Sequence, residues 1–257
     1  MDYELNIYHE IADSDKGWFT DPDAMTPDKF SEAANECKKG DTLNIHVNSP
    51  GGSVFAAVTI TSIIKAQRNK GVTVNAYIEG LAASAASFLV MACDNIYCYP
   101  SSMLMIHKPM SFVFGNANDM IEVADTLEKI EASTCMPMYM EKAKVEESEI
   151  RDLLAAETWL SAKDAEELFE IEIIEGETVT DSIDASKLRM FKNVPVELLK
   201  ESEEEPDEPE DPEEPEDPEE PEDPDEDEAE EENPKETEQT APDEAYFDIL
   251  ERTIKSI

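Results

Sequence analysis

The fold is decided by residues 72–87, which read VTVNAYIEGLAASAAS. The β-branched and aromatic residues of the first part predict a strand from Val72 to Ile78. The small residues of the second part predict a helix from Ala83 to Ala92. Ser84 therefore lies where a strand turns into a helix, and its hydroxyl should project near the positive end of that helix.

Strands and helices alternate along the rest of the chain. The pattern predicts further strands at Leu5–Tyr8, Leu43–Val47, Ile96–Tyr99 and Met103–Ile106, and helices at 26–38, 54–68, 116–144, 147–156 and 161–169. We expect Pro137 to kink or end the longest of these helices. This alternation predicts an α/β fold with a largely parallel sheet built from βαβ units.

Three segments lie at the ends of predicted strands: Asn48–Ser53 (NSPGGS), Gly80–Ser84 (GLAAS) and Met105–Pro109 (MIHKP). Within them, Asn48–Gly52, Gly80–Ser84 and His107 each fall just after a strand, at the sheet edge where α/β proteins bind their ligands. A serine is a poor nucleophile until an adjacent base activates it, and His107 is the natural candidate. The free N–H groups of a sharp Pro-Gly-Gly turn are suited to hold an oxyanion. Together these parts indicate acyl-transfer chemistry.

Each of these residues also has a plain structural interpretation. Ser84 could cap a packing helix, and His107 could be a hydrogen-bonded core histidine. Either explanation is reasonable alone, but the agreement of three segments favours the catalytic one. Ser87 ranks below Ser84 as nucleophile because it lies one turn deeper in the predicted helix.

The charge and the ends of the chain exclude several classes of protein. The formal net charge is −43 at pH 7, and residues 201–232 contribute 23 acidic side chains and no basic one. Nucleic acid and anionic membrane are therefore excluded as direct ligands, because their phosphates would be repelled. The N-terminus lacks the features of a signal peptide, and no apolar run reaches the ~18 residues of a membrane span. We expect a cytoplasmic protein.

The cysteines and histidines suggest neither a disulfide framework nor a metal site. The four cysteines are irregularly spaced and are best explained as buried thiols, and the three histidines form no metal-ligand pattern. These residues are Cys37, Cys93, Cys98 and Cys135, and His9, His46 and His107.

The three segments, in this order, resemble the signature of the ClpP family of serine peptidases. The run Ala82–Ser87, with Trp18 and Thr26-Pro27 upstream, is most similar to the ClpP-fold head maturation proteases of tailed bacteriophages. The resemblance covers about residues 3–185. It implies a crotonase-like α/β fold with repeated ββα and βαβ units, a barrel-like ring of identical subunits that encloses the sites, and endopeptidase activity without metal or cofactor.

The resemblance also implies roles for individual residues. Ser84 corresponds to the nucleophile and His107 to the base, with the backbone N–H groups of Gly52 and Ala85 as the oxyanion hole. The family places an aspartate before an aromatic-Leu-Ser-Ala run, and the aligned residue here is Glu157. Glutamate can orient an imidazole but has a longer reach. Asp164 and Asp152 are weaker substitutes for this third residue. A glycine that the family often has in a stretch matching 168–172 is missing, so we expect a different turn there.

Residues 198–241 are predicted to be a disordered linker that follows a protease domain of residues 1–197. A proline occurs at every third position from Pro206 to Pro224 with acidic residues between, which is the period of polyproline II. Residues 242–257 predict a short amphipathic helix. The linker could be a solubilising spacer or an electrostatic tether to a basic surface, and the helix could be a docking peptide or a frayed end.

The leading functional hypothesis is a prohead protease that cleaves scaffold and capsid proteins in the host cytoplasm or inside the prohead. The alternatives are an ATP-dependent Clp proteolytic subunit and a non-catalytic, scaffold-like assembly protein on a protease fold. The N-terminus begins almost on the first strand, which favours a protease that works without an unfoldase. A crotonase would not need the Ser84–His107 pair. A signal peptide peptidase would need a lysine base and a membrane anchor.

Overall fold

The computed structural model describes residues 1–16, 21–176, 185–195 and 198, all within one compact unit that spans Met1–Glu203. Of the predicted linker (198–241) only residue 198 is described, and the predicted terminal helix (242–257) lies outside the described residues. The strands are β1 (Asp2–Ile7), β2 (Thr42–Ser49), β3 (Thr73–Ala83), β4 (Asn95–Cys98), β5 (Met103–Ile106), β6 (Thr158–Ser161) and β7 (Glu172–Ile173). The helices are α1 (Pro27–Ala34), α2 (Val54–Lys70), α3 (Ala85–Val90), α4 (Ala117–Ile130), α5 (Met136–Met140), α6 (Glu147–Ala156), α7 (Ala162–Leu168) and α8 (Ala185–Leu188).

The strands form one sheet that is parallel except at one pair. Its main path runs β1-β2-β3-β4-β7, and every pair on that path is parallel. Strand β5 adds to β3 in parallel, and β6 pairs antiparallel with β5. The prediction of an α/β fold with a largely parallel sheet is confirmed.

Strand β3 is longer than predicted because it changes partner along its length. Its first half pairs with β4 at residues 75–78, and its last residues, 81–83, pair with β5. Between these stretches the Asn48 side chain accepts a hydrogen bond from the Leu81 N–H at 2.9 Å. A Cβ on Gly80 would lie 2.4 Å from that Asn48 oxygen, so the close approach requires glycine. The expectation that 80–83 follow the strand is therefore wrong, since these residues belong to it.

The main core lies between the sheet and the helices that cover it. Aliphatic side chains from β2, β3 and α2 are fully buried there, among them Ile45, Val74, Ile60 and Ile64. All four cysteines are buried free thiols, as predicted. Within the described ranges, no helix combines the length and the apolar character that crossing a membrane would require.

Several helix boundaries differ from prediction. The helix predicted from Ala83 to Ala92 spans only Ala85–Val90, because Ala83 ends strand β3. Helix α1 ends at Ala34 rather than near residue 38. The single helix predicted over 116–144 is interrupted by a π-helical turn, Glu131–Cys135, before α5 begins. Pro137 has no N–H for the carbonyl four residues earlier, and the wider turn before it accommodates the missing hydrogen bond. The interruption therefore begins six residues before the proline that causes it.

Candidate active site

The register of two neighbouring strands brings Ser84 and His107 together. Ala83 at the end of β3 pairs with Met105 in β5, and the Ser84 N–H donates to the Met105 carbonyl at 2.9 Å. Both strands then end, and the next side chains extend from the same sheet edge. As a result, the Ser84 Oγ lies 2.7 Å from the His107 Nε2. This is hydrogen-bond distance between a candidate nucleophile and its candidate base.

Ser84 adopts a strained backbone conformation at the turn between β3 and α3. Its φ is 52° and its ψ is −122°, a region that residues with a Cβ rarely occupy. The side chain makes no helix-cap hydrogen bond, which is against the plain capping role. The strain aims the hydroxyl at His107 instead of at the backbone of the helix.

Ser87 is placed away from the candidate base. Its side chain is fully buried, and its Oγ donates to the Ser84 carbonyl at 2.6 Å. The same oxygen lies 2.7 Å from the Tyr139 hydroxyl. Ser87 therefore supports the turn that carries Ser84.

The turn at Gly51-Gly52 packs directly on the Ser84 turn. Gly51 has a φ of 93°, and a Cβ there would lie 2.7 Å from Ser84 Cβ and 2.9 Å from the Ala85 nitrogen. The Ala85 N–H is at the first position of α3, where an amide has no acceptor in its own helix. The Gly52 N–H donates no hydrogen bond to another described residue. Both N–H groups therefore remain able to serve a substrate oxygen.

Burial keeps His107 in the state that a general base needs. Loss of solvent lowers the pKa of the His107 imidazole below its ordinary value of 6.5, and the charge of Glu157 opposes that shift. The ring is therefore neutral at pH 7. Because Nε2 must accept the serine proton, the single proton of the neutral ring has to be on Nδ1. An acceptor for that Nδ1–H would hold the required tautomer.

Strand register also places Glu157 beside His107. In the antiparallel pair of β5 and β6, Ile106 is opposite Thr158, so the next residues outward are His107 and Glu157. The Glu157 carboxylate is nevertheless used elsewhere: its Oε1 accepts from the backbone N–H of Lys192 at 2.5 Å and of Asn193 at 2.9 Å. Among the described residues, no hydrogen bond joins Glu157 to His107.

The two weaker candidates for the third residue have other surroundings. Asp164 accepts from the N–H and the hydroxyl of Ser161 in the capping box of α7, which lowers the pKa of its carboxyl. Asp152 is exposed on α6. Of the acidic residues considered from the sequence, Glu157 is therefore the one whose charge acts on His107.

Phe191 is part of this site, although no sequence motif pointed to it. Its ring lies against the imidazole of His107, with the two ring centres 5.2 Å apart and the planes at 75°. The sequence offered only a weak indication of this contact. Leu188 and Phe191 are apolar residues three positions apart, a pattern that any short segment packed on a protein surface can have. Only the tertiary structure shows what they contact.

One group of side chains outside this site has the composition of a metal site. Ligand atoms of His9, Asp21 and Asp23 lie within 4.8 Å of one another near the surface. The Lys187 ammonium, however, lies 2.6 Å from the Asp21 carboxylate and already supplies a positive charge there. We therefore assign no ion to this group.

Comparison with known proteins agrees with the geometry. The family model described as Clp protease matches residues 33–174. The chain is 34% identical over 93 residues to the ATP-dependent Clp protease proteolytic subunit of Bacteroides fragilis, which covers 35% of this chain and 44% of that protein. It is 28% identical over 176 residues to proteolytic subunit 1 of Chlamydia abortus, covering 63% and 86% of the two chains.

A third relative, proteolytic subunit 2 of Treponema denticola, is 29% identical over 127 residues, or 49% of this chain and 62% of that protein. The chain thus spans less than two thirds of the Bacteroides and Treponema proteins. The family model itself covers more than half of the chain and contains the positions of Ser84, His107 and Glu157. The chain belongs to the Clp protease family.

Proposed function

We propose that this protein is a serine endopeptidase. The observation that carries the proposal is the 2.7 Å contact between Ser84 Oγ and His107 Nε2 at a strained turn. Family membership supports it, because the Clp protease family is one of serine-type peptidases. No metal or cofactor has a role in the proposed reaction.

In the proposed mechanism, Ser84 Oγ attacks the peptide carbonyl while His107 Nε2 takes its proton. The backbone N–H groups of Gly52 and Ala85 bind the oxyanion of the tetrahedral intermediate. His107 then gives the proton to the leaving amine, and a water molecule hydrolyses the acyl-enzyme by the same route. Glu157 stabilises the imidazolium that forms in each step through its negative charge.

The proposal is tested by labelling the purified full-length protein with a fluorophosphonate probe and measuring intact mass. We expect a single adduct on the wild-type protein, none on Ser84→Ala, and an unchanged adduct on Ser87→Ala, because only Ser84 contacts the base. Sedimentation velocity on the same samples verifies that the variants are folded and equally assembled. An adduct that persists in Ser84→Ala would refute Ser84 as the nucleophile.

We also propose that identical subunits associate into a ring through the segment from Met110 to α4. None of the residues of α4 is buried, although the helix has an apolar side. Large apolar side chains are exposed on this segment: Met110, Phe112, Phe114, Met120 and Ile121. Phe112 and Phe114 are 75% and 77% exposed, and surface of this kind is characteristic of protein–protein contacts.

At a finer level, we propose that the substrates are scaffold and capsid proteins of a phage head, cleaved in the host cytoplasm or inside the prohead. The form of the Ala82–Ser87 segment supports this, as does the acidic, proline-rich sequence after residue 200, whose charge suits a basic partner surface. The relatives are named as subunits of an ATP-dependent protease, which favours a second candidate: a proteolytic subunit that acts with an ATPase.

A processing experiment separates these candidates. The wild-type protein, Ser84→Ala and a chain ending at residue 197 are each incubated with prohead and scaffold proteins, without an ATPase and without ATP. We expect cleavage by the wild type, weaker cleavage by the shortened chain because its tether is gone, and no cleavage by Ser84→Ala. Cleavage that requires an ATPase would favour the Clp-subunit candidate. Assembly supported equally by Ser84→Ala, without cleavage, would favour the non-catalytic assembly protein.

A further inference from the structure

The segment Ala185–Val194 packs against the candidate active site although it lies beyond the region that the family model matches. Leu188 and Phe191 are buried in a small apolar cluster of their own, with Leu81, Ala83 and Met105 from β3 and β5. Ala83 directly precedes Ser84, Leu81 lies two residues before Ala83, and Met105 lies two residues before His107. The segment therefore contacts the back of both elements that carry the catalytic pair.

Phe191 contacts the base itself. Its side chain is 6% exposed, and it lies edge-on to His107 at 5.2 Å and to Trp159 at 6.1 Å between ring centres. The imidazole is held by its hydrogen bond to Ser84 on one side and by this aromatic ring on another. Phe191 thus restricts rotation of the imidazole and contributes to its burial.

The next two residues bind the acidic neighbour of the base. Two backbone N–H groups, of Lys192 and Asn193, donate to the same oxygen of Glu157, and hydrogen bonds to a charged acceptor are the stronger kind. The Asn193 side chain also donates to the Ala156 carbonyl at 3.1 Å. These contacts fix the turn at Glu157, whose φ of 53° is unusual for a residue with a side chain.

These contacts indicate that the segment supports the active site and does not block it. Ser84 and His107 both remain partly exposed, and their mutual hydrogen bond is intact. No residue of the described part of the segment hydrogen-bonds to Ser84. The segment contacts His107 through an aromatic edge and Glu157 through backbone donors, which leaves the Ser84 hydroxyl free to react.

We propose that Ala185–Val194 is a positioning element of the active site, in which Phe191 holds the His107 ring and the Lys192 and Asn193 amides hold the Glu157 carboxylate. This inference rests on the proposed peptidase function. It adds to the active site three residues, Phe191, Lys192 and Asn193, that lie outside the family-matched region. Phe191 acts through His107 and is a positioning residue.

The test compares Phe191→Ala, Phe191→Leu and Met190→Ala in the full-length protein. Met190 is the matched control because it is in the same segment but 56% exposed. The first readout is the pKa of His107 from NMR titration, assigned with a His107→Gln sample, since this does not depend on activity. The second is the rate of fluorophosphonate labelling and of peptide hydrolysis across pH.

We expect Phe191→Ala to raise the pKa of His107, because solvent returns to the ring, and to shift the acid limb of the rate profile to higher pH. The charged groups near His107 are the same in the wild type and in Phe191→Ala. Glu157 acts on the imidazole in both proteins, and the neighbouring Lys108 is paired with Glu131 in the wild-type structure. We expect kcat to fall by about 10- to 100-fold with little change in KM, as for a misplaced catalytic group. Phe191→Leu should restore most of the rate, and Met190→Ala should behave like the wild type.

Two outcomes would overturn the proposal. Faster labelling of Phe191→Ala than of the wild type would show that the segment obstructs the site. An unchanged His107 pKa together with an unchanged rate would show that Phe191 has no effect on the base. Failure of the peptidase hypothesis is distinguishable from both, because the wild-type protein would then carry no adduct on Ser84 while the NMR titration would still report on the Phe191–His107 contact.

Discussion

Replacing His107 by glutamine is expected to lower the rate at which Ser84 reacts with a fluorophosphonate by about 10⁴- to 10⁶-fold, as in serine peptidases that lose their base. The serine hydroxyl must lose its proton as it attacks, and His107 Nε2 is the group placed 2.7 Å away to accept it. Glutamine has no basic nitrogen and leaves the hydroxyl with its ordinary, high pKa. The measurement is the labelling rate followed by intact mass.

The pH profile of the wild-type protein gives an independent check on this prediction. The reactive form needs a neutral imidazole, so the rate rises as the pH increases through the pKa of His107. Because burial lowers that pKa, we expect the midpoint below 6.5. The labelling rate of His107→Gln should show no such rise with pH. His9→Gln is the matched control, since His9 is at the surface with its side chain 47% exposed. A His107→Gln protein that labels at the wild-type rate would refute His107 as the base.

Replacing Gly51 by alanine is expected to reduce labelling by about 100-fold or more and to lower the free energy of unfolding by about 2–3 kcal/mol. A Cβ at this position would lie 2.6 Å from the Ala83 carbonyl oxygen and 2.7 Å from the Ser84 Cβ. These atoms belong to the backbone and to the nucleophile itself, so they can move only if the turn at Ser84 moves. Labelling rates and urea unfolding measure the two effects.

Gly40→Ala separates the clash at Gly51 from the cost of its backbone conformation. Gly40 has a φ of 87°, close to the 93° of Gly51, but a Cβ there would meet no atom within 4 Å. We expect Gly40→Ala to lose only the ~1 kcal/mol of left-handed strain and to label normally. If the two variants had equal stability and equal labelling rates, the close packing of Gly51 on the Ser84 turn would not matter for the reaction.

Much of the fold follows from local patterns in the chain. The presence of a strand before Ser84 and a helix after it was predictable, because β-branched and aromatic residues favour the first and small residues allow the second. The end of that strand was not predictable. The pairing of Ser84 with His107 was also predictable, since both follow strands of a parallel sheet and the carboxyl ends of such strands meet at one edge. The partner change along β3 was not predictable, because it involves pairing with two different strands, β4 and β5, that follow it in the chain.

Glu157 shows clearly which features of the site could be predicted from the sequence and which could not. Glu157 was a candidate from its position before the Trp159–Ala162 run, and the nucleophile, base and oxyanion turn were likewise candidates from sequence motifs alone. No sequence pattern predicted that the Glu157 carboxylate would accept from the amides of Lys192 and Asn193, or that Phe191 would lie on His107; these contacts are visible in the folded chain alone. The physical reason is that these contacts join residues 35 or more positions apart, and their free energy depends on which surfaces folding brings together rather than on local propensity.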